Sequence, residues 1–316
     1  MWEFITNIIP SGLAYTAPLL IIALGGLYSE RSGVVNIGLE GLLGIGAFFS
    51  AYYVSLNYAA GGQSALWIGL LIGGLTGAVF ALLHAFASVS MKANQVISGT
   101  AINMLSASLT IFLARRLTGS ANVQITLGFT KTTVPGLSKI PIIGPLIFTD
   151  ARVTTYVVFA ILLISWYVLY KTPFGLRFRA CGENPHAADS MGIKVGFMRY
   201  FGVVMSGFMA GLGGAIVILT YSGEFSQNIY NGLGFLALAA LIFGKWQPWG
   251  ILGASLFFGL AKTVSNMSVL YESFDKVPNI FLNAFPYIVT IVALILFSKN
   301  SSAPRAAGEP YDVGKR

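Results

Sequence analysis

Long apolar runs separated by short polar breaks make up most of the 316-residue chain. A transmembrane helix needs about 20 consecutive apolar residues, and a tenth helix is expected if one broken run forms two pieces. The pattern predicts one all-α, polytopic membrane domain over residues 1–316, with about nine to ten transmembrane helices, some of them broken or re-entrant. The runs are residues 8–27, 34–56, 65–89, 96–113, 153–170, 195–221, 232–243, 251–269 and 279–297.

The longest polar stretch with helical character is residues 171–199, which we call the polar island. It holds five of the 19 Lys and Arg residues, and positively charged loops of membrane proteins stay in the cytoplasm. Within it, Asn184 suits an N-cap, Pro185 the first helical position and Gly192 the C-terminal stop of a short helix. The sequence therefore predicts a cytoplasmic loop at about 172–196 whose short helix docks a cytoplasmic partner.

Orientation follows from the same charges. The tail at about 299–316 carries four Lys or Arg residues and is expected in the cytoplasm. Counting nine spans back from it also places the polar island inside and the N-terminus outside. The first apolar run has no basic segment before it, so we expect no cleavable signal. The loop at about 117–152 is expected on the outer face as a contact for a substrate-delivery protein, although Arg115 and Arg116 run against the charge rule.

Composition excludes a soluble globular domain, because 55% of the residues are hydrophobic and only 9% are charged. Soluble domains have about 25% charged residues. The 37 glycines agree with close helix packing in a membrane. Loops that meet anionic membrane lipid explain the net charge of +8, so no nucleic acid partner is expected.

The chain lacks the residues for its own chemistry. No Gly-x-x-x-x-Gly-Lys-Ser/Thr loop for phosphate occurs, and two His and one Cys cannot supply a convincing metal site or nucleophile pair. We expect no catalytic residue, no metal and no cofactor bound by this chain. An integral-membrane enzyme would need a polar catalytic cluster, which is not evident. A conduit that takes its energy from a partner, or an ion-coupled secondary transporter, stays open.

Glu40 is the most unusual residue inside a predicted span. A carboxylate at the centre of a membrane helix costs about 2.5–3.5 kcal/mol, so it normally faces a cavity or a partner group. It could pair with Arg31 or with neighbouring backbone and hold the bundle together. It could instead line a pathway, because glycine-broken polar segments at membrane depth often build transporter sites. His84, alone on an apolar helix, is expected to be a hydrogen-bonded structural residue.

The polar island contains the segments PFGLR (173–177), GENP (182–185) and MGI (191–193). They resemble the cytoplasmic coupling loop of bacterial ATP-binding-cassette importer permeases, in particular the ribose and branched-chain amino acid group. Two longer stretches, residues 25–41 and 239–246, are similar to the nucleoside (guanosine-type) branch of that group. The resemblance covers most of the chain, from the first apolar run to the tail.

The resemblance implies a permease subunit of an ATP-binding-cassette importer that carries nucleosides across the bacterial plasma membrane. Its partners would be separate ATPase subunits that use ATP and Mg²⁺, a second, related permease chain in a heterodimer, and an extracytoplasmic substrate-binding lipoprotein. A ribose-type sugar or a riboflavin-like molecule stays open as the cargo. The coupling loop would contact the ATPase through Gly182, Glu183, Asn184, Pro185, Ala187, Ala188, Met191 and Gly192.

A pathway for nucleosides, which are uncharged and planar, would need hydrogen-bonding groups and aromatic rings rather than strong charge. Polar residues within the apolar runs are the natural candidates, although such residues more commonly bond across helices. The predicted pathway residues are Asn36, Glu40, Gln95, Ser98, Asn103 and Phe235.

Overall fold

The computed structural model describes residues 2–141, 144–267, 288 and 303–312. Among these residues, six helices are long and apolar enough to cross a membrane, and β-structure is limited to four two-residue strands. The all-α, polytopic prediction is confirmed. The helices are α1 (Trp2–Arg31), α2 (Leu39–Gly61), α3 (Gln63–Ala85), α4 (Gln95–Thr118), α5 (Val153–Lys171), α6 (Pro173–Glu183), α7 (Pro185–Ser190), α8 (Val195–Val217), α9 (Gln227–Tyr230), α10 (Leu233–Phe243) and α11 (Pro248–Met267).

Eight of the nine predicted runs coincide with these helices. The run at 232–243 forms α10, which has only 11 residues and is separated from α9 by Asn231 and Gly232. A full span needs about 17–25 residues, so α9 and α10 are two pieces of one broken segment. The ninth run, 279–297, lies outside the described residues apart from residue 288. The count of nine to ten spans therefore stays a prediction.

Helix α8 lies at the centre of the bundle and packs against α1, α2 and α3. In its most apolar stretch 83% of the residues are buried, against 22% in α4, which lies at the periphery. Glycine makes this packing possible, because a Cβ on Gly211 would collide with the backbone of Gly73. Backbones that approach so closely gain van der Waals contact, which drives helix association in membranes.

The two ends of the bundle differ. Helix α5 connects residues 119–152 at one end, which we call the loop end, to the polar island at the other, the island end. At the loop end, β1 (Val123–Gln124) pairs with β4 (Glu224–Phe225), and β2 (Lys131–Thr132) pairs with β3 (Ala151–Arg152), both antiparallel. A 3₁₀ turn (Leu137–Lys139) and π-helical turns (Phe86–Ser90, Gly144–Phe148, Ile218–Ser222) complete the described elements.

Candidate functional site

The chain between α1 and α2 is not helical over residues 32–38, which we call the polar break. The predicted run at 34–56 is therefore interrupted where the sequence is most polar. Gly33 has φ +96°, a conformation that suits glycine, and the Asn36 side chain accepts the Gly38 N–H at 3.0 Å. Inside a membrane bundle, every backbone group released by such a break needs a new partner.

Side chains from α3 and α4 supply those partners. Gln95 Oε1 accepts the Val35 N–H at 2.7 Å, and Asn103 Nδ2 donates to the carbonyl oxygen of Ile37 at 3.0 Å. Asn103 Oδ1 also accepts the Gly41 N–H at 2.7 Å. The two amide side chains therefore bind the backbone within the break, at Val35 and Ile37, and just after it, at Gly41.

His84 completes the set from α3. Its Nε2 lies 3.1 Å from the carbonyl oxygen of Val35, and its Nδ1 lies 2.9 Å from Ser98 Oγ. A carbonyl oxygen can only accept, so we assign the proton to Nε2, and Nδ1 then accepts from the Ser98 hydroxyl. The expectation that His84 is a hydrogen-bonded structural residue is confirmed by this geometry.

Asn36 is fully buried and donates from Nδ2 to Ser206 Oγ on α8 at 3.0 Å. The break is thus tied to the central helix as well as to α3 and α4. Four of the six predicted pathway residues, Asn36, Gln95, Ser98 and Asn103, belong to this one network. Their role as substrate contacts stays a prediction.

Glu40 lies in the first turn of α2 and binds the backbone at the second broken segment. Its two carboxylate oxygens accept the N–H groups of Gly232 and Gly234, each at 2.6 Å, at the start of α10. The positive end of a helix stabilises a carboxylate in this position. Of the two partners considered for it, the backbone is the one observed, because Arg31 pairs instead with Glu183 at 3.3 Å.

Phe235 differs from the other five pathway candidates because its side chain is 50% exposed. It follows Gly234, whose N–H binds Glu40, and so lies close in space to the first turn of α2, where Asn103 also binds. An aromatic side chain on the surface of the chain is available to a ligand or to a second subunit. The hydrogen-bonding candidates surround this turn on the buried side.

Helix α4 has an exposed face of its own, which runs towards the loop end. Ile97, Met104 and Phe112 are 68%, 74% and 63% exposed and lie seven or eight residues apart, on one face of the helix. An open groove of about 470 Å³ follows at the far end of the helix. Its lining residues are Ser108, Ile111, Phe112, Arg115 and Arg116.

The predicted short helix of the polar island is present as α7, and its caps are those expected. Asn184 Oδ1 accepts the Ala187 N–H at 3.0 Å, Pro185 is the first helical residue, and Gly192 has φ +78° just after the end. The helix α6 before it is capped in the same way, because Thr172 Oγ1 accepts the Gly175 N–H at 3.1 Å. Each cap satisfies a backbone N–H that would otherwise lack a partner.

The eight predicted coupling residues divide into two groups by exposure. Glu183, Asn184, Ala187, Met191 and Gly192 are exposed, whereas Gly182, Pro185 and Ala188 are buried. Ala188 packs on Cys181 and Val195 and so forms the underside of α7 rather than its surface. Met191 is 82% exposed, which leaves a large apolar side chain for a partner. The ATPase contact itself stays a prediction for all eight.

Cys181 is fully buried beneath α7. Burial raises the pKa of its thiol to about 11, which keeps the thiol protonated at neutral pH. The neighbouring guanidinium of Arg199 acts in the opposite direction but more weakly. Among the described residues, His, Cys, Asp and Glu form no group of three that could hold a metal ion.

One junction at the island end was not anticipated from the sequence. Trp246 Nε1 donates to the Glu30 carboxylate at 2.5 Å, and the Trp246 carbonyl oxygen accepts from Arg31 at 2.8 Å. Arg31 also contacts Glu183 at the end of α6, so the end of α1, the α10–α11 turn and the coupling loop meet here. Lys245 and Trp246 have φ near +50°, a strained conformation for these residues. Glu30 and Trp246 lie in the two segments, 25–41 and 239–246, that carry the family resemblance. Their contact joins residues 216 positions apart, so the sequence pattern does not reveal it.

The profile of a family described as branched-chain amino acid transport system / permease component matches residues 8–296. The guanosine ABC transporter permease protein NupQ of Bacillus subtilis is 47% identical over 315 residues, covering 99% of each chain. The nucleoside ABC transporter permease protein NupC of Lactococcus lactis is 40% identical over 310 residues, 98% of this chain and 97% of its own. The guanosine ABC transporter permease protein NupP of Bacillus subtilis is 26% identical over 300 residues, 91% and 80% of the two chains.

Proposed function

Because the chain belongs to the family of branched-chain amino acid transport system permease components, we propose that it is the membrane-spanning subunit of an ATP-binding-cassette importer for nucleosides. The observation that carries the proposal is the 47% identity with a guanosine permease over 99% of both chains. The six long apolar helices agree with a multi-pass protein of the bacterial plasma membrane.

Energy enters through separate ATPase subunits, which bind ATP and Mg²⁺ on the cytoplasmic side. Helix α7 is the docking element, and its exposed residues Asn184, Ala187 and Met191 contact the ATPase. The support is geometric: α7 is short, capped at both ends and joined through Glu183 to the end of α1. A helix held in this way can pass a push from the cytoplasm to the bundle as a rigid unit.

The transport path lies between this chain and a second permease. The exposed face of α4 and the exposed Phe235 support this arrangement, because α4 carries Asn103 and Phe235 follows Gly234, which binds Glu40, so both lie beside the polar groups around the first turn of α2. Relatives in Bacillus subtilis include two guanosine permease proteins, and this chain is far more similar to one of them. We infer a heterodimer in which this chain takes the place of NupQ.

The nucleoside is recognised by polar groups close to the first turn of α2. Asn36, Glu40, Gln95, Ser98 and Asn103 can each exchange a hydrogen bond within the chain for one to the base or the ribose when the bundle changes state. A lipoprotein outside the membrane delivers the nucleoside to the loop end, where the groove beside Arg115 and Arg116 is open.

The decisive experiment is uptake of radiolabelled guanosine, ribose and riboflavin in cells that lack this gene and in the same cells complemented with it. Each uptake is repeated with ATP depleted and the ion gradient maintained. The proposal expects only guanosine uptake to be lost with the gene, and to be lost also on ATP depletion. Loss of ribose or riboflavin uptake instead would change the cargo, and guanosine uptake that survives ATP depletion would overturn the mechanism.

A further inference from the structure

The last described segment of the chain, residues 303–312, lies across the island end of the bundle, and we call it the tail segment. It contains one turn at 305–308 and belongs to no helix, yet Pro304 and Ala306 are buried. Four polar contacts anchor it: Ala306 N–H to the Gly182 carbonyl oxygen (2.9 Å), Gly308 N–H to the Gly33 carbonyl oxygen (3.4 Å), Arg199 Nη1 to the Glu309 carbonyl oxygen (2.8 Å) and Lys92 Nζ to the Asp312 carboxylate (2.8 Å).

The four anchors belong to four different parts of the bundle. Gly182 is in the last turn of α6, immediately before α7, and Gly33 lies in the polar break. Arg199 is in the first turns of α8, and Lys92 is in the turn between α3 and α4. The tail segment therefore connects the base of α7 to the polar break, to the start of α8 and to the turn between α3 and α4.

Arg199 gives the tail segment a structural reason to stay in place. The side chain is 1% exposed, and its Nη1 donates to the tail carbonyl of Glu309. Among the described residues its Nε and Nη2 have no hydrogen-bond partner. A buried guanidinium with too few acceptors is costly, so loss of the tail contact would favour rearrangement or hydration of this site.

Tyr311 closes the space beneath α7. Its ring packs against the cluster formed by Cys181, Ala188 and Val195, and it lies 5.2 Å from the ring of His186. The Arg199 guanidinium is 5.8 Å from the centre of the same ring. The tail segment thus covers the underside of the docking helix as well as the polar break.

We propose that the tail segment is a strap that joins α7 to the polar break, so that a displacement of α7 moves the break and its hydrogen-bond network together. The transmission role rests on the proposed function, because an ATPase must supply the displacement. The existence of the strap does not rest on the proposed function, because the strap is a set of contacts within this chain. Without it, the link from α7 to the break is left to the packing of Ala188 on Cys181 and Val195, to the close approach of Gly182 to Arg31 and Gly33, and to the partly exposed Arg31–Glu183 pair.

Cys181 is a natural reporter of the strap, because it is the chain's one cysteine and is buried beneath α7. Membranes containing the full chain are treated with a maleimide at neutral pH, alongside a chain shortened to residues 1–302. Loss of the strap should expose the thiol and raise the labelling rate on the order of tenfold, as local opening does for protected groups. A chain shortened to residues 1–312 keeps every described tail contact and is the matched control.

Two outcomes decide the inference. Fast labelling of the 1–302 chain, with slow labelling of the full and 1–312 chains, supports the strap. Equal, slow labelling of all three would overturn it. The same membranes, assayed with the ATPase subunits, give guanosine uptake per ATP hydrolysed. The proposal expects this ratio to fall for the 1–302 chain while hydrolysis continues, and an unchanged ratio would overturn the transmission role.

A charge-reversal pair covers the case in which the shortened chain does not fold. Lys92→Asp and Asp312→Lys each place like charges together, whereas the double variant restores the pair in reverse. Because the pair is partly exposed, labelling of Cys181 should rise less in each single variant than in the 1–302 chain, and it should return towards the original rate in the double variant. Failure of the full chain to support uptake would count against the proposed function alone, because the labelling comparison needs no transport.

Discussion

Two polar regions of this protein look alike in the sequence and differ in the fold. The polar groups inside the bundle, at residues 32–41 and in α3 and α4, are buried or partly buried, and most of their hydrogen bonds go to backbone that a broken helix has released. The polar island at one end of the bundle has its own caps and presents exposed side chains such as Met191. The first region maintains the structure, and the second leaves a surface free for a partner.

The difference predicts how each region responds to substitution. Inside the bundle, removing a side chain leaves backbone groups unpaired where no water can replace it, so stability falls. On the exposed part of the island, a substitution leaves the fold intact and changes only what binds there. Substitutions inside the bundle should therefore lower the protein level, whereas substitutions on the exposed part of the island should impair function at an unchanged protein level.

The largest effect is expected for Glu40→Ala, which removes both acceptors of the Gly232 and Gly234 N–H groups. Each unpaired buried group costs about 1–3 kcal/mol, so the membrane level and the thermal midpoint in detergent should fall most here. Glu224→Ala, at the partly exposed end of β4, is the control carboxylate and should be nearly neutral. A stable Glu40→Ala protein would contradict the structural role of Glu40, and if that protein transported nothing, only the proposed pathway role would be left.

A smaller loss is expected for Asn103→Ala, which frees the Ile37 carbonyl oxygen and the Gly41 N–H. The protein should lose about 1–3 kcal/mol of stability, measured as a lower thermal midpoint. Ser108→Ala lies on the exposed face of the same helix and should leave the midpoint unchanged. Equal midpoints for the two variants would contradict the structural role of Asn103.

The smallest effect on stability is expected for Met191→Glu. Because this side chain is 82% exposed, the folding free energy should change by less than about 0.5 kcal/mol. The amount of ATPase that copurifies should nevertheless fall sharply, since the charge replaces the apolar contact. Leu127→Glu at the loop end, where the side chain is 55% exposed, should leave ATPase binding unchanged. Normal copurification of the ATPase with the Met191 variant would contradict the proposal that α7 is the docking surface.

Local features of the fold were predictable from the sequence. Asn184, Pro185 and Gly192 specify the ends of α7, because capping depends on residues within one turn of the helix end. The apolar runs identify eight helical regions, because hydropathy is likewise a local property that each segment has by itself. The resemblance supplied the family, which the comparison with known sequences confirmed.

Contacts between distant segments were not predictable. The pattern could not tell which face of α7 packs inward, so it left open that Ala188 lies on Cys181 and Val195. It also could not show that Trp246 binds Glu30, or that the tail segment reaches Gly33, because each contact joins residues more than 200 positions apart. The run at 232–243 is predicted as a complete span, although α10 has only 11 residues, because composition does not reveal where a helix breaks.

We propose that energy for nucleoside import enters through the exposed face of α7, while the buried polar groups hold the bundle together. The most direct test is ATP-driven guanosine uptake into proteoliposomes that contain the ATPase subunits and either the original chain or the Met191→Glu variant, at equal protein. We expect uptake with the original chain and little with the variant, whose thermal midpoint should be unchanged. Equal uptake by the two chains would contradict it.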